Sequence, residues 1–311
     1  MGSNTAHLLV ATVGEQGPSR RRHAVHLVGL GREVAENGEL GEELLERTAE
    51  LVGHLVDQAR HDGAERIGLV GTEALRNAAD GAALRDRVRQ QTKLQLRILT
   101  GEAEARLSYL GGTAHWVPPG HPATVVDVGG GSTEVVHGLG SRPVNGTSLK
   151  VGSDRILMAI NAADPPTPRQ RADAELRISM LLEAAPDAAR QGMLIATGGT
   201  ASNLPVLLGV WQPLSDSKDV LRDEGTREPW ITLTRDNIDQ AVHLTANHSS
   251  AEVAMRSGLS PARARLMAGG ILVLLGLLER YQAKELVVTE RGLRDGVLLR
   301  LAAAAAHHRP G

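Results

Sequence analysis

Asp127-Val128-Gly129-Gly130-Gly131-Ser132-Thr133-Glu134-Val135-Val136 is the stretch from which the fold can be read. An apolar, β-branched run from Ala123 to Val128 leads in and Val135-Val136 leads out, so strands flank the glycines on both sides. The glycines therefore turn a hairpin, unlike those of a P-loop or dinucleotide fingerprint, which a helix follows. Gly129, Gly130 and Gly131 let the backbone approach a bulky group and turn successive N–H groups inward, with Ser132 beside them. Such a concavity of amides suits an anion, most often a phosphate. Asp127 and Glu134 flank it, and carboxylates repel a phosphate unless a divalent cation accompanies them. A solvated, glycine-rich turn carries the same short pattern.

Upstream, Met1 to Thr5 reads as a polar loop, and His7 to Val13 and His23 to Leu30 as strands. Leu40, Leu44, Leu51, Leu55 and Ala59 mark a long helix after Gly38. Ile67 to Val70 is a short buried strand, followed by Gly71-Thr72-Glu73-Ala74-Leu75-Arg76. Residues 80–92 read as helix, Leu94 to Leu99 as strand, and Glu102 to Leu110 as a helix with Glu102 and Glu104 in its first turn, where the dipole favours acids. Pro118, Pro119, Gly120 and Pro122 make a stiff connector that marks a domain boundary.

Downstream, residues 169–184 read as helix, and Leu194 to Thr197 as a strand ending in a Gly198-Gly199-Thr200 loop before a helix from Ala201 to Gly209. Residues 212–230 are polar and irregular. Thr234 caps a helix, Pro261 opens another through Leu278, Glu285 to Val288 is a strand, and Leu293 to Ala306 is the closing helix. Strands alternate with helices in both halves, which gives an α/β architecture with mixed sheets, repeated twice. Gly2-Ser3-Asn4-Thr5 before the first strand echoes Gly131-Ser132-Thr133, so two phosphate-type hairpins could face each other across a cleft.

The 311 residues suit two domains, and 41% apolar content is that of a globular protein. Aromatic residues make up 2% and Phe is absent, which leaves little for stacking on bases. A net charge of −2 gives no general attraction to nucleic acid or anionic membrane, and Arg20-Arg21-Arg22 reads as a solvated loop. With no cysteine, disulfides, thiol catalysis and Cys-ligated zinc are excluded. No signal peptide is evident and the most apolar window, Ile271 to Leu278, is too short to cross a bilayer, so the expected location is cytoplasmic. Histidines show no metal-ligand spacing and serines no nucleophile elbow. Arg76, just past a strand end, offers a planar grip on phosphate oxygens, or is a surface helix arginine. Glu104 reads on its own as a solvated glutamate paired with Arg106 or Arg97.

Together, Gly2 to Val10, Gly71 to Arg76, Gly101-Glu102-Ala103-Glu104-Ala105-Arg106-Leu107, Asp127 to Glu134, Ala196-Thr197-Gly198-Gly199-Thr200 and Gly292-Leu293-Arg294-Asp295-Gly296 resemble the exopolyphosphatase/guanosine pentaphosphate phosphohydrolase family. Their order and spacing carry the resemblance over nearly the whole chain. It implies two ribonuclease-H-like domains of the actin-like superfamily with the active site in the cleft: residues 1–118 plus about 291–311, and residues 119–290. It implies Glu104 as the base that activates water, Asp127 and Glu134 as the magnesium pair, and Arg76 as a phosphate-binding arginine. Ser3, Asn4, Gly129, Gly130, Gly131 and Ser132 match phosphate loops, and Gly198-Gly199-Thr200 a further one. Magnesium is the implied cofactor, with manganese as an alternative and a monovalent cation as an optional addition; a homodimer is the expected assembly.

Two departures stand out. A strand ending in Asp-X-Gly normally precedes the first loop, and the reading expects one encoded just upstream of Met1. Arg263-Ala264-Arg265 puts an arginine where an acid is common. The expected reaction is release of terminal orthophosphate from inorganic polyphosphate. Hydrolysis of guanosine pentaphosphate is the alternative, and an actin-like nucleotide-binding module or kinase with Gly198-Gly199-Thr200 as its adenosine loop is the third.

Overall fold

The computed structural model describes residues 1–14, 17–114, 116–187, 192–210 and 230–306. The polar stretch 212–230 lies outside them except for Trp230. The described residues form two compact units, one of residues 1–100 and 297–306, the other of residues 101–210 and 230–296.

In the first unit, β1 (Thr5–Gly14) pairs antiparallel with β2 (Gly17–Leu27). α1 (Leu30–Asn37), α2 (Glu42–His61), β3 (Leu69–Gly71), α3 (Glu73–Asn77), α4 (Gly81–Thr92) and β4 (Leu96–Ile98) follow, with β3 and β4 parallel. The strand expected from His23 thus begins earlier and contains Arg20, Arg21 and Arg22, which are not a loop; Arg22 donates to Asp62 at 3.0 Å. It ends at Leu27 because Gly29, at φ 69°, turns the chain into α1, which Leu30 opens. α2 carries acids in its first turn and Arg60 and His61 in its last, matching its dipole, and Asp80 accepts the Leu40 and Gly41 amides at its entrance at 2.9 Å each. Leu30, Leu40, Leu45, Leu75, Leu84 and Leu96 form the core between these helices.

The second unit runs through α5 (Gly101–Thr113), β5 (Pro122–Val128), β6 (Thr133–Leu139), β7 (Arg142–Leu149), α6 (Ser153–Ala159), α7 (Pro168–Leu182), β8 (Met193–Thr197) and α8 (Gly198–Leu207). It closes with β9 (Trp230–Thr234), α9 (Arg235–Asn247), α10 (Ser250–Ser257), α11 (Pro261–Tyr281), β10 (Glu285–Thr289) and the start of α12 (Leu293–Ala306). Its sheet has the order β7-β6-β5-β8-β10-β9. β5, β6 and β7 are antiparallel, whereas β8 runs parallel to both β5 and β10. This mixed sheet bears out the α/β class. The helices absent from the sequence reading, α1, α3, α6 and α10, have five to eight residues each, too few to repeat an apolar period.

Side chains of β5 alternate between two helical layers, as the pleat requires. Ala123 and Val125 join Ala105 and Tyr109 of α5 in one cluster, while Val126 and Val128 join α11 in the other. α11 is long and apolar enough to cross a bilayer by length and composition, which corrects the shorter window read from sequence. Its apolar side chains, Met267 to Leu278, are buried in the core of this unit instead.

α5 reaches the sheet's end because small residues let backbones touch. A Cβ on Gly111 would lie 1.9 Å from the Gly292 carbonyl oxygen, and one on Gly296 would lie 2.0 Å from that of Leu107. Gly111→Ala should therefore destabilise the protein by at least the roughly 1–3 kcal/mol of an overpacked core. Gly53→Ala on α2, whose new methyl meets only the end of Gln91 at 3.3 Å, should stabilise by about 0.5–1 kcal/mol. Thermal melts of the two variants check this pair; equal melting temperatures would contradict it.

Candidate active site

Asp127 continues the rank Ala123, Val125 on the α5 side of β5. Register places Glu134 of β6 directly opposite it, Ser148 of β7 opposite Glu134, and Thr197 of β8 beside Asp127 on the other flank. One row across four strands thus reads Ser148, Glu134, Asp127, Thr197. Like charges placed directly opposite each other destabilise a sheet, so this row is costly as it stands.

α5 lies over the row. Glu104 is 6% exposed and Ser108, one turn on, is fully buried on the same helix face. Glu102 instead projects outward and pairs with Arg106 at 3.0 Å. The ion pair expected for Glu104 with Arg106 therefore belongs to Glu102, and Glu104 is buried rather than solvated. Ser108 donates to Asp127 Oδ2 at 2.5 Å, and Ser132 and Ser148 both donate to Glu134 Oε1, at 2.9 and 2.7 Å. Burial and then the charges of Glu104 and Asp127 push the Glu134 carboxyl well above the usual carboxylate range, against the pull of the two serines. Burial also raises Asp127; Ser108, the neighbouring Thr197 hydroxyl and the Arg294 charge oppose it. Glu134 therefore feels both of the other carboxylates.

The glycine turn closes where the Gly129 amide donates to the Ser132 carbonyl at 3.0 Å. Its own carbonyls are all taken from behind by the start of α6. Gly129 O accepts from the Ser153 amide at 2.9 Å, and Gly130 O from the amides of Asp154 and Arg155 at 2.9 and 3.0 Å. Gly131 O accepts from Arg155 Nε at 2.6 Å. Gly152 makes this approach possible, since a Cβ there would stand 2.5 Å from Gly130 O. With the carbonyls turned to α6, no hydrogen bond among the described residues uses the amides of Gly130, Gly131 or Ser132. Free amides on successive residues of a turn are what an anion nest requires.

Gly198, Gly199 and Thr200 form the first turn of α8, not a loop. Gly198 has φ 90°, and a Cβ there would meet Asp127 Oδ1 at 2.4 Å, so the helix starts against the carboxylate row. Arg263 crosses this turn, its Nη1 at 2.7 Å from where a Gly199 Cβ would stand. A helix N-terminus is itself favourable to anions.

The remaining sequence candidates lie in the first unit. Ser3 is buried and donates to Glu73 Oε2 at 3.4 Å, while Asn4 gives its carbonyl to the Val28 amide at 2.9 Å. Arg76 stands on α3 with Nη1 donating to the Leu99 carbonyl at 2.5 Å. Sequence reasoning missed Ser108, Ser148 and the α6 clasp. Gly152-Ser153-Asp154 would have signalled a helix start, and strand register would have found Ser148.

Among the described residues, no cluster of three or more His, Asp and Glu side chains forms a metal cage. Two oxygen-donor carboxylates beside an anion nest nevertheless fit magnesium, which keeps water and takes one or two carboxylates together with substrate phosphates.

The model of the Ppx/GppA phosphatase family matches residues 10–305. Exopolyphosphatase 2 of Mycobacterium tuberculosis is 28% identical over 97% of this chain and 96% of its own length. The guanosine-5'-triphosphate,3'-diphosphate pyrophosphatase of Photobacterium profundum is 24% identical over 99% of this chain and 59% of its own. Among solved structures, the Aquifex aeolicus PPX-GPPA enzyme superimposes with a TM-score of 0.79 at 27% identity, covering 96% of this chain and 97% of that one. With the family match spanning almost all of its length, this chain belongs to the Ppx/GppA phosphatases.

Proposed function

We propose that this protein is an exopolyphosphatase that releases terminal orthophosphate from inorganic polyphosphate. The supporting observation is the row of interacting carboxylates beside an amide-lined turn whose carbonyls are held away. The amides of Gly130, Gly131 and Ser132 and the start of α8 at Gly198, Gly199 and Thr200 bind phosphate oxygens. Glu104 is buried on α5, and its charge acts on Glu134 in the row below it. It takes a proton from a water whose oxygen attacks the terminal phosphorus in line. The phosphoanhydride bond breaks, and the bridging oxygen leaves with the shortened chain. Asp127 and Glu134 would hold magnesium, which would supply charge neutralisation for the phosphoryl oxygens.

Guanosine pentaphosphate offers the same bond to the same groups, and the P. profundum relative favours it as a second reading. The family assignment leaves the kinase reading without support. Phosphate release from long polyphosphate and from guanosine pentaphosphate, with magnesium and with chelator, separates the two. Full activity in chelator would sink the cation reading, and a much higher kcat/KM on the nucleotide would exchange the first reading for the second.

Glu104→Gln should lower kcat about 10²–10⁴-fold with KM little changed. Glu102→Gln is the internal control and should be nearly silent, since its carboxylate lies outside, on Arg106.

The carboxylate row also predicts a stability effect. Glu134 binds its proton more tightly in the folded chain than in the unfolded one. Its contribution is therefore favourable at low pH and lost as pH rises above the ordinary carboxylate range. In chelator at pH 8, Glu134→Gln should melt above the wild type, each 1 kcal/mol reading as roughly 2–4 °C in a protein of this size. The gap should shrink toward pH 5. A variant that melts lower at pH 8 would show that the two serine hydrogen bonds outweigh the repulsion.

A further inference from the structure

Buried hydroxyls on helices ordinarily bond back to the carbonyl four residues earlier. This protein follows that habit at Thr92 to Val88, Thr113 to Tyr109 and Thr245 to Ala241, at 2.7 to 3.1 Å. Ser108 departs from it. Fully buried on α5, it leaves its own helix and donates across to Asp127 Oδ2 at 2.5 Å. A hydrogen bond to a carboxylate is among the stronger kinds, and here it joins two elements that bring different parts of the site. α5 carries Glu104 one turn before Ser108, and β5 carries Asp127. The other oxygen of Asp127 lies against Gly198, in the space a Cβ would fill. The carboxylate is thus fixed at one oxygen by Ser108 and hemmed at the other by the start of α8.

We infer that Ser108 is a positioning residue: it sets the orientation of Asp127 toward the cation and ties the height of Glu104 over the carboxylate row to that of β5. This rests on the reading of Asp127 as a cation ligand. Hydrogen-bond partners of ligating carboxylates typically govern about 10–100-fold in metal affinity or activity.

Tyr109 provides the comparison. It is the next residue on α5, fully buried, and its hydroxyl donates to the Gly140 carbonyl at 2.8 Å, away from the carboxylates. Ser108→Ala and Tyr109→Phe each delete one buried hydroxyl from the same helix. Titration of the full chain with magnesium chloride by calorimetry, alongside kcat and KM on long polyphosphate, tells a local role from a general one. Ser108→Ala should weaken magnesium binding and lower kcat by about 10–100-fold with KM nearly unchanged, whereas Tyr109→Phe should match the wild type in both. Magnesium binding of Ser108→Ala equal to that of the wild type would overturn the inference and leave the cation site standing. Equal weakening in both variants would also overturn it, because α5 would then merely be loosened. A wild type that takes up no magnesium would bring down the cation reading, and the role of Ser108 with it.

Discussion

The direct opposition of Asp127 and Glu134 across two antiparallel strands is the constraint on which the second unit turns. A tight turn after Val128 fixes that register, and the period of two then sends both carboxylates to the same face as Val125 and Val136. A slip of one residue would put both on the α11 side, in a core of Leu, Val and Ile. Sheet register is therefore also the register of the site.

Everything around the pair answers the repulsion it creates. Three serines from three different elements donate to the two carboxylates, and the Arg294 charge acts on Asp127. These groups reduce the cost without cancelling it, since burial still raises both carboxyl groups and the charges of Glu104 and Asp127 raise Glu134 further. A site left in this condition is one prepared for positive charge. The nest of amides next to it is prepared for negative charge, because α6 has drawn its carbonyls away. The two preferences are complementary when a cation and a phosphate arrive together.

Much of this was legible in the sequence because it depends on local pattern. β-branched runs on both sides of three glycines specify the hairpin, and the hairpin specifies the Asp127–Glu134 pair. Alternating strands and helices specify the class. Other features depend on contacts that sequence spacing does not carry. Glu104 reads as a solvated first-turn acid, and its burial follows from α5 lying over the sheet, which needs Gly111 to touch Gly292. Gly198-Gly199-Thr200 reads as a break, because glycines usually interrupt a helix. Here a positive φ at Gly198 starts one, leaving no side chain in the way of Asp127. Ser148 and Ser153 reach the site only through strand pairing and the return of the chain at α6: Gly152-Ser153-Asp154 signals a helix start but not where that helix packs.

The small number of carboxylates has a consequence for how the proposed reaction is ordered. Asp127 and Glu134 are too few to satisfy a divalent ion, and no larger cluster of ligating side chains stands among the described residues. A cation held by these two keeps water or takes phosphate oxygens as its remaining ligands. On the proposed reading the substrate thus completes the metal site, and the metal completes the phosphate site. Binding of each then strengthens binding of the other by the same factor, as linkage requires. A single orthophosphate offers fewer oxygens to both partners than a chain end does. On that reading the coupling that gathers a chain end loosens once the terminal bond is cut.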